Sequence, residues 1–455
     1  MTVDLVLQDA TIACVSSRAT GSIAVDEGRI VAVGNREVMP RAKRTIDLAG
    51  RVVLPGAIDG HVHLCEDLSI LAEPYETGTQ AAAAGGVTTL LLMPWDTPTL
   101  ETVDTLEYRK TYVAGRSYVD YGFHGAVTAL SASRTAINVP ALWQAGVTGI
   151  KVLMVTDDPH FPHLDDGQLL DVLEVSARIG VPLIVHAENA AILRRNKERL
   201  LAVGRKDPLA HEEYRSALSE NEAVRRLTYL TEKTGARVVI AHMSTAEGVS
   251  HARAARERGA EIYTEVCPRN LWLSTDDLAQ RGAWVKTGPP VRSPSEVAAL
   301  WPQVRDGGVS IISSDHAAWT KEVRLAGQSD IWVAYDGIPQ VQETLSLMLD
   351  AVNRGQMTLA DVARLTSYNP SRIFGLWPRK GAVLPGFDAD LAVVDMDREM
   401  TIEPKILKTA VGYSAYEGRT LTGWPVMTFV RGSIVMEEGE IVGSANHGQF
   451  IRRVA

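Results

Sequence analysis

Gly149-Ile-Lys-Val-Leu-Met154 and Val181-Pro-Leu-Ile-Val-His186 are the two segments that decide the fold of this chain. Each is a short apolar run of the length expected for a buried strand. Residues 165–179 lie between them and carry apolar side chains at the spacing of an amphipathic helix. A strand, a helix and a second strand in this order predict two parallel strands joined by a right-handed crossover.

The same alternation runs through the middle of the chain, from residue 56 to residue 370. Further strands are predicted at 88–93, 120–126, 237–242, 261–266 and 309–313, and further helices at 220–234 and 246–258. This many strand–helix units in one domain favour a closed (β/α)8 TIM barrel within the α/β class. An open doubly wound sheet is the alternative fold.

Both ends of the chain have a different sequence pattern from the middle, with short β-rich segments and glycine-containing turns. Residues 3–54 contain four strand-like segments, and residues 390–436 contain three more. We expect the two ends to form one small β-sandwich domain, so that residues 1–55 and 371–455 flank a catalytic barrel at 56–370. Two unrelated β appendages are the alternative arrangement.

The composition is that of a globular enzyme and excludes several other classes. The chain has 455 residues, 45% hydrophobic and 22% charged, with a net charge of −9, which gives no electrostatic support for nucleic-acid binding. Three scattered cysteines make no disulfide framework and fit a reducing compartment. We read no signal peptide in the first residues, and the longest apolar runs are shorter than the ~18 residues of a membrane span. The expected location is therefore the cytoplasm.

Residues with metal-binding and acid–base chemistry stand where the predicted strands end, which is the active-site edge of such barrels. In His61-Val-His63, alternate positions of a strand point to one side, so both imidazoles can face one metal ion. By itself this pattern occurs by chance more often than it binds metal. Lys151 lies inside an apolar strand, either as a side chain that reaches for solvent or as an amine that CO2 has carbamylated.

Three further strand ends carry His186, His242 and Asp315. A single histidine at a strand end is more often a hydrogen-bonded structural residue than a ligand. Three such ends downstream of a His-x-His pair and a strand lysine are hard to explain as coincidence. The combination predicts a metal site at the rim of the barrel.

Four longer motifs extend this pattern over the chain. They are Leu54-Pro-Gly-Ala-Ile-Asp-Gly-His-Val-His63, Ser367-Tyr-Asn-Pro-Ser-Arg-Ile-Phe-Gly375, Lys380-Gly-Ala-Val-Leu-Pro-Gly-Phe-Asp-Ala-Asp-Leu391 and Tyr416-Glu-Gly-Arg419. With them the sequence resembles, essentially end to end, the cyclic amidohydrolases of the amidohydrolase superfamily. This group includes dihydroorotase, allantoinase, hydantoinase and dihydropyrimidinase, and the resemblance is nearest to allantoinase and hydantoinase.

The resemblance implies two divalent metal ions and a role for each strand-end residue. Zinc is the usual metal in the group, with manganese or cobalt as alternatives. The implied ligands are His61, His63 and Asp315 for the more buried ion, His186 and His242 for the second, and carbamylated Lys151 as the bridge. Asp315 is also the implied general acid and base in hydrolysis of a –CO–NH– bond within a small-molecule ring. Relatives are usually homotetramers, sometimes homodimers.

Substrate specificity is where the chain departs from its relatives. Dihydroorotases usually have an arginine at the position of Cys65, and a thiol cannot make the bidentate carboxylate contact. Hydantoinases and dihydropyrimidinases usually have a tyrosine at the position of Thr156, where allantoinases tend to have a shorter polar residue. We therefore expect allantoinase-like hydrolysis of a substituted hydantoin. A D-hydantoinase or dihydropyrimidinase activity, another cyclic imide or lactam, and a non-catalytic scaffold are the alternatives.

Four further positions are candidates for contact with substrate or for altered charge near it. Asp96 stands where relatives have Asn, and Arg269 stands where they have His. Asp96 is predicted to contact substrate, with an ion pair between loops as the alternative. Arg269 is expected to pair with a loop acid and not to reach the substrate. The main-chain contacts that relatives make with the ring imide map onto Gly288 and Asp336.

Overall fold

The protein is described by a computed structural model over residues 2–15, 18–66 and 71–454. Five strands precede the barrel in the chain. They are β1 (Thr2–Ala13), β2 (Arg18–Asp26), β3 (Arg29–Gly34), β4 (Arg41–Asp47) and β5 (Val52–Pro55). β1 pairs antiparallel with β2 and parallel with β4 and β5, so it is the centre of this N-terminal part.

The barrel follows as a series of short parallel strands. They are β6 (Ala57–Val62), β7 (Val87–Leu92), β8 (Asp120–Phe123), β9 (Gly125–Ala126), β10 (Ile150–Leu153), β11 (Leu183–His186), β12 (Val238–Ile240), β13 (Ile262–Val266) and β14 (Ile311–Ile312). Hydrogen bonds order them as β6-β7-β8 and as β9 through β14. Every pairing within these two groups is parallel.

Two junctions join these groups into a closed barrel of eight strands. At the first, β8 and β9 are one bent strand: the main-chain N–H of His124 donates to Leu92, and that of Gly125 donates to Gly149, both at 2.9 Å. At the second, Val62 forms a parallel bridge with His316, just beyond β14. The prediction of a (β/α)8 barrel is confirmed, and the open doubly wound sheet is excluded.

Helices cover the outside of the barrel and connect its strands. They are α1 (Tyr75–Ala84), α2 (Val103–Val113), α3 (Thr135–Ala145), α4 (Asp166–Ile179), α5 (Ala190–Ala202), α6 (Pro208–Tyr214), α7 (Ala217–Thr234), α8 (Ala246–Glu257), α9 (Pro268–Trp272), α10 (Thr275–Arg281), α11 (Pro294–Arg305), α12 (Lys321–Ala326), α13 (Thr344–Asn353), α14 (Leu359–Ala363) and α15 (Asn369–Ile373). The ends of α4 follow from its sequence. Asp165 and Gln168 form a capping box at its start, and Gly180 ends it with a left-handed φ of 73°.

Alternation along the strands separates the inside of the barrel from its outer layer. Ile184 of β11 and Val239 of β12 belong to a cluster inside the barrel, whereas their neighbours pack against the helices. On β10, Ile150 and Val152 belong to the outer layer, and Lys151 pairs in register with Ile184. Lys151 therefore faces the interior, among residues where a charged side chain is costly to bury.

The C-terminal strands complete the small β domain. They are β15 (Leu391–Thr401), β16 (Thr420–Val430), β17 (Ser433–Glu437) and β18 (Glu440–Ile441). β15 pairs antiparallel with β5, which makes one nine-stranded sheet from both chain ends. The glycine of the β2–β3 turn, Gly28, contacts Arg431 in the β16–β17 turn, so the sheet folds over a shared core. A small domain built from both ends is thus confirmed, and two separate appendages are excluded.

Two barrel strands are shorter than predicted. β12 and β14 end at Ile240 and Ile312, so His242 and Asp315 lie just beyond the strands and not at their last residues. The strand that the sequence analysis assigned to His61-Val-His63 was given no bounds; it is β6, which begins at Ala57 and ends at Val62. Among the described residues, no helix is long and apolar enough to cross a membrane.

Candidate metal centre and active site

A cavity of about 790 Å³ opens at the carboxyl ends of the barrel strands. All but one of the predicted site residues line it. Those that do are His61, His63, Lys151, Thr156, His186, His242, Gly288, Asp315 and Asp336. Asp96 is absent from the lining among the residues that the structure describes.

The two histidines that end β6 converge on one carboxylate. Nε2 of His61 and Nε2 of His63 each lie 3.2 Å from Oδ1 of Asp315. The main-chain N–H of His63 donates to the carbonyl of His316 at 2.8 Å, which holds the end of β6 beside the segment that carries Asp315. Barrel closure therefore brings together residues that are far apart in the chain.

Lys151 approaches the same point from the barrel interior. Its Nζ lies 3.4 Å from Nε2 of His61, and its side chain is buried. Burial lowers the pKa of this amine below its usual value, with partial opposition from Asp315 and Glu265. A lowered pKa increases the share of neutral amine, which is the form that reacts with CO2.

His186 and His242 form the other side of the cluster. Nδ1 of His186 lies 3.2 Å from Nε2 of His242, and the two ring centroids are 4.7 Å apart. His242 and Asp315 both have left-handed backbones, with φ of 39° and 47°. Such a conformation costs on the order of 1–3 kcal/mol for a non-glycine residue and is concentrated at functional sites.

The donor set fits divalent cations. The ligand atoms of His61, His242 and Asp315 lie within 4.8 Å of one another. Burial lowers the pKa of His63 to about 4 and that of His242 well below its usual value, so these rings are neutral and offer a lone pair. Although burial opposes its ionisation, His61 and Arg269 hold the pKa of Asp315 well below the usual range. Neutral imidazoles and an ionised carboxylate are the donors that zinc, manganese and cobalt accept.

Two buried carboxylates orient these histidines, and the sequence analysis gave neither a role. Glu265 lies 2.7 Å from Nδ1 of His61, and Glu188 lies 2.7 Å from Nε2 of His186. Carboxylates of this kind fix the tautomer and orientation of metal-ligating histidines. A glutamate within the largely apolar strand β13 was the available sequence signal for Glu265.

Arg269 does not behave as expected. It turns inward, is fully buried, and donates from Nη2 to Oδ2 of Asp315 at 2.7 Å. Its partner is thus a predicted ligand and not an acid of a distant loop. Arg269 does not line the cavity. Its placement therefore agrees with the expectation that it does not contact the substrate.

Asp96 lies beneath the cavity wall in an ion pair. Its Oδ2 is 2.5 Å from Nη1 of Arg109 and accepts from the main-chain N–H of Glu66 at 3.0 Å. The thiol of Cys65 donates to its Oδ1 at 2.9 Å. Asp96 thus forms an ion pair, as in the alternative that the sequence analysis left open, but its partner Arg109 lies on α2 and not on a loop.

The outer rim brings together Thr156, Gly288 and Asp336. Oδ2 of Asp336 accepts from Nη1 of Arg215 at 2.9 Å, and this pair passes directly over Gly288. A Cβ at position 288 would lie 2.7 Å from Asp336 Oδ2 and 2.9 Å from Arg215 Cζ, so only glycine fits there. The hydroxyl of Thr156 accepts from the main-chain N–H of Asp158 at 2.9 Å.

Aromatic side chains form much of the remaining cavity wall. Trp95 stacks on Phe161 at 5.1 Å and meets His63 edge-on at 6.1 Å. Trp319 stacks on Tyr335 at 4.5 Å, and both line the cavity with Trp332. The space next to the histidine cluster is therefore bounded by large apolar faces.

A closed barrel with an imidazole-rich cavity at its strand ends is typical of an enzyme whose active site lies at that face of the barrel. The protein-family model described as the amidohydrolase family matches residues 52–435, and the chain belongs to this family. The prediction of an amidohydrolase that acts on cyclic amides is thereby confirmed.

Individual relatives match nearly the whole chain. An L-hydantoinase of Paenarthrobacter aurescens is 31% identical over 99% of this chain and 98% of its own length. An allantoinase of Rubrobacter xylanophilus is 34% identical over 99% of this chain and 97% of its own length. The solved structure of an L-hydantoinase (dihydropyrimidinase) from Arthrobacter aurescens superposes with a TM-score of 0.96 at 31% identity, covering 99% of this chain and 100% of that one.

Proposed function

We propose that the cavity holds two divalent metal ions and hydrolyses the ring of a 5-substituted hydantoin. The observation that carries the metal centre is the convergence of four imidazoles, one carboxylate and one lysine at a single point. His61, His63 and Asp315 would hold the more buried ion. His186 and His242 would hold the second.

Lys151 would bridge the two ions as a carbamate. A lysine amine carries no negative charge, so by itself it would do little to balance the positive charge of two divalent metal ions. Addition of CO2 to the neutral amine forms an N–C bond, releases one proton and creates a carboxylate. The buried position of Nζ, 3.4 Å from His61 Nε2, supports a carbamate carboxylate close to the proposed ligand atoms.

The residues around the proposed metal centre have different roles in ring opening. Two divalent ions, when bound, supply a water of lowered pKa and stabilise the negative charge that develops on the carbonyl oxygen. Asp315 would take the proton of that water and return it to the ring nitrogen as the C–N bond breaks. Thr156 and the main chain at Gly288 and Asp336 would orient the ring from the rim.

The aromatic wall favours a hydantoin with an apolar substituent at carbon 5. Trp95, Trp319 and Tyr335 offer stacking surfaces, which are worth roughly 0.5–1.5 kcal/mol each for an aromatic partner. A flexible polar substituent gains less from such walls. The similarity to an L-hydantoinase supports this substrate class.

Allantoin, a hydantoin with a ureido substituent, was the first expectation from the sequence and becomes the second candidate because of the aromatic wall. Thr156 in place of a bulkier residue and the Arg215–Asp336 pair at the rim give this end of the cavity polar groups that a ureido chain can contact. The similarity to an allantoinase supports it as well.

The experiment that separates the two candidates is a direct comparison of kcat/KM. Allantoin and 5-benzylhydantoin share the ring and differ only in the substituent. We expect 5-benzylhydantoin to be the better substrate by at least about tenfold, which corresponds to about 1.4 kcal/mol. A preference for allantoin would reverse this ranking and leave the ring-opening chemistry unchanged.

Several finer assignments belong to this proposal. The proposed metal is zinc, because histidine and carboxylate ligands suit it. Elemental analysis of protein from cells grown with mixed metals tests this.

The proposed assembly is a homotetramer or homodimer, as the resemblance of the chain to hydantoinases suggests, and light scattering tests this. The barrel unit spans residues 56–370, and the location is cytoplasmic, which the odd and scattered cysteines support.

A further inference from the structure

Arg269 is a fully buried cation that contacts a proposed metal ligand, and the proposed chemistry does not use it. It stands at the second position of α9, directly after β13, and its side chain is 0% exposed. Burying a guanidinium is costly unless its partner repays the lost hydration. Its charged partner is Asp315, at 2.7 Å from Nη2.

The two oxygens of Asp315 have different partners. Oδ1 faces Nε2 of His61 and Nε2 of His63, each at 3.2 Å. Oδ2 faces away from this pair and accepts from Arg269. Nη1 of Arg269 also approaches the carbonyl of Ser314 at 3.4 Å, so the guanidinium spans the side chain of Asp315 and the main chain before it.

The backbone of Asp315 is a second sign that its surroundings hold this residue in place. Asp315 has a φ of 47°, a conformation that a non-glycine residue keeps only when its surroundings enforce it. A short acid on such a backbone can rotate its carboxylate, and a carboxylate that is free to rotate can bind a cation through both oxygens. A guanidinium that occupies one oxygen removes that option, because its planar donors fix the carboxylate plane.

We propose that Arg269 is a positioning residue that commits Oδ1 of Asp315 to the metal centre and withholds Oδ2 from it. This inference rests on the proposed metal centre. Asp315 would then offer one carboxylate oxygen, and not two, to the more buried ion.

The test is the visible absorption spectrum of the Co2+-substituted protein, since this spectrum reports coordination number independently of any substrate. R269M keeps an unbranched side chain, shorter than that of arginine, and removes its charge and donors, whereas R269K keeps a charged donor group. We expect R269M to show a weakened Co2+ spectrum, typical of a higher coordination number, and R269K to resemble the wild type. In R269M, kcat should fall about 10–100-fold while KM changes about twofold or less.

R324M is the matched control, because Arg324 is also 0% exposed but donates to Tyr413 and the main chain of Ala283, away from the metal ligands. It should lose thermal stability and keep the wild-type Co2+ spectrum. If R269M does not fold, R269Q takes its place, because its amide keeps a neutral donor near Oδ2, and we expect a spectrum between those of R269K and R269M.

The outcomes separate this inference from the proposed function. A folded, Co2+-loaded R269M or R269Q with the spectrum of the wild type would overturn the positioning role and leave the metal centre intact. A wild-type chain that binds no Co2+ would overturn the metal centre, and the positioning role with it.

Discussion

Glu265 accepts a hydrogen bond from Nδ1 of His61 across 2.7 Å, and both side chains are buried. The same carboxylate oxygen accepts from the main-chain N–H of His242 at 2.9 Å. One oxygen therefore holds a histidine of β6 and the backbone of a second histidine beyond β12. This contact places the proton of His61 on Nδ1 and turns the lone pair of Nε2 toward Lys151 and Asp315.

Replacing Glu265 with Gln should weaken metal binding without removing a ligand. The amide is neutral and no longer stabilises the Nδ1–H tautomer, so we expect the Kd for Zn2+ to rise about 10–100-fold. Competition with a chelator of known affinity measures this. Glu261→Gln is the control, because Glu261 is exposed just before the same strand. Equal affinities for Glu265→Gln and the wild type would contradict the role of this contact.

Removing the metals should abolish activity. The proposed centre has five protein side chains plus a bridge, which serve two ions, so about two divalent ions per chain should be found. Dialysis against a chelator should remove both activity and metal, and added Zn2+ should restore both. Full activity in a metal-free preparation would refute the whole proposal.

Lys151→Ala should remove the bridge and with it activity. Because the proposed bridging carboxylate would be lost, at least one site should lose its metal. Acetate or propionate should partly restore metal and activity by occupying the vacated space. Lys233→Ala, at an exposed position of α7, is the control and should behave as the wild type. Full activity with both metals in Lys151→Ala would show that no carbamate bridge is needed.

The opposite end of the barrel should control stability and not activity. Nζ of buried Lys380 lies 2.7 Å from Asp120 Oδ2, at the start of β8, and also contacts Asp390. Lys380→Met leaves these buried acids without this partner, at a cost of about 3–5 kcal/mol. We expect a fall in Tm of at least about 5 °C with unchanged kcat per folded molecule. Lys405→Met, at a highly exposed lysine, is the control. An unchanged Tm in Lys380→Met would mean that the acids find other partners.

The fold and most of the candidate site could be predicted because they depend on local patterns. An apolar run that ends in His186 or precedes Asp315 indicates a buried strand with a polar residue at its end. This can be predicted without knowing which residues of the other strands lie beside it. Closure of the barrel then forces these ends together, whatever the distances in sequence. The bounds of β6 were harder to predict than its existence, because Asp59 and Gly60 interrupt its apolar run.

Partners that lie across the fold could not be predicted. Asp96 meets Arg109 of α2, and Arg269 meets Asp315, and neither pair has a local signal. The direction of Arg269 depends on the left-handed backbone of Asp315, which is a consequence of tertiary packing. The sequence pattern therefore predicted the metal ligands but not the ion pairs that surround them.

Dihydroorotate should be a poor substrate, because its ring carboxylate finds no arginine at position 65. Cys65 is buried, and its thiol donates to Asp96 and not into the cavity. Arg269 cannot replace the missing arginine, since its guanidinium is committed to Asp315 outside the cavity lining. A missing charge-assisted contact costs about 1.5–3 kcal/mol, or roughly one to two decades in kcat/KM.

Dihydroorotate and dihydrouracil make the sharpest comparison, since they share the six-membered ring and differ by the carboxylate. We expect dihydrouracil to have the higher kcat/KM by roughly tenfold or more. Cys65→Arg should not rescue dihydroorotate, because an arginine introduced there has Asp96 beside it as a competing partner. Cys65→Ser, which keeps the size and the donor, should leave the ratio between the two substrates unchanged. A clear preference of the wild type for dihydroorotate would mean that another cation of the cavity, Arg215 or Lys286, leaves its acidic partner Asp336 to bind the carboxylate.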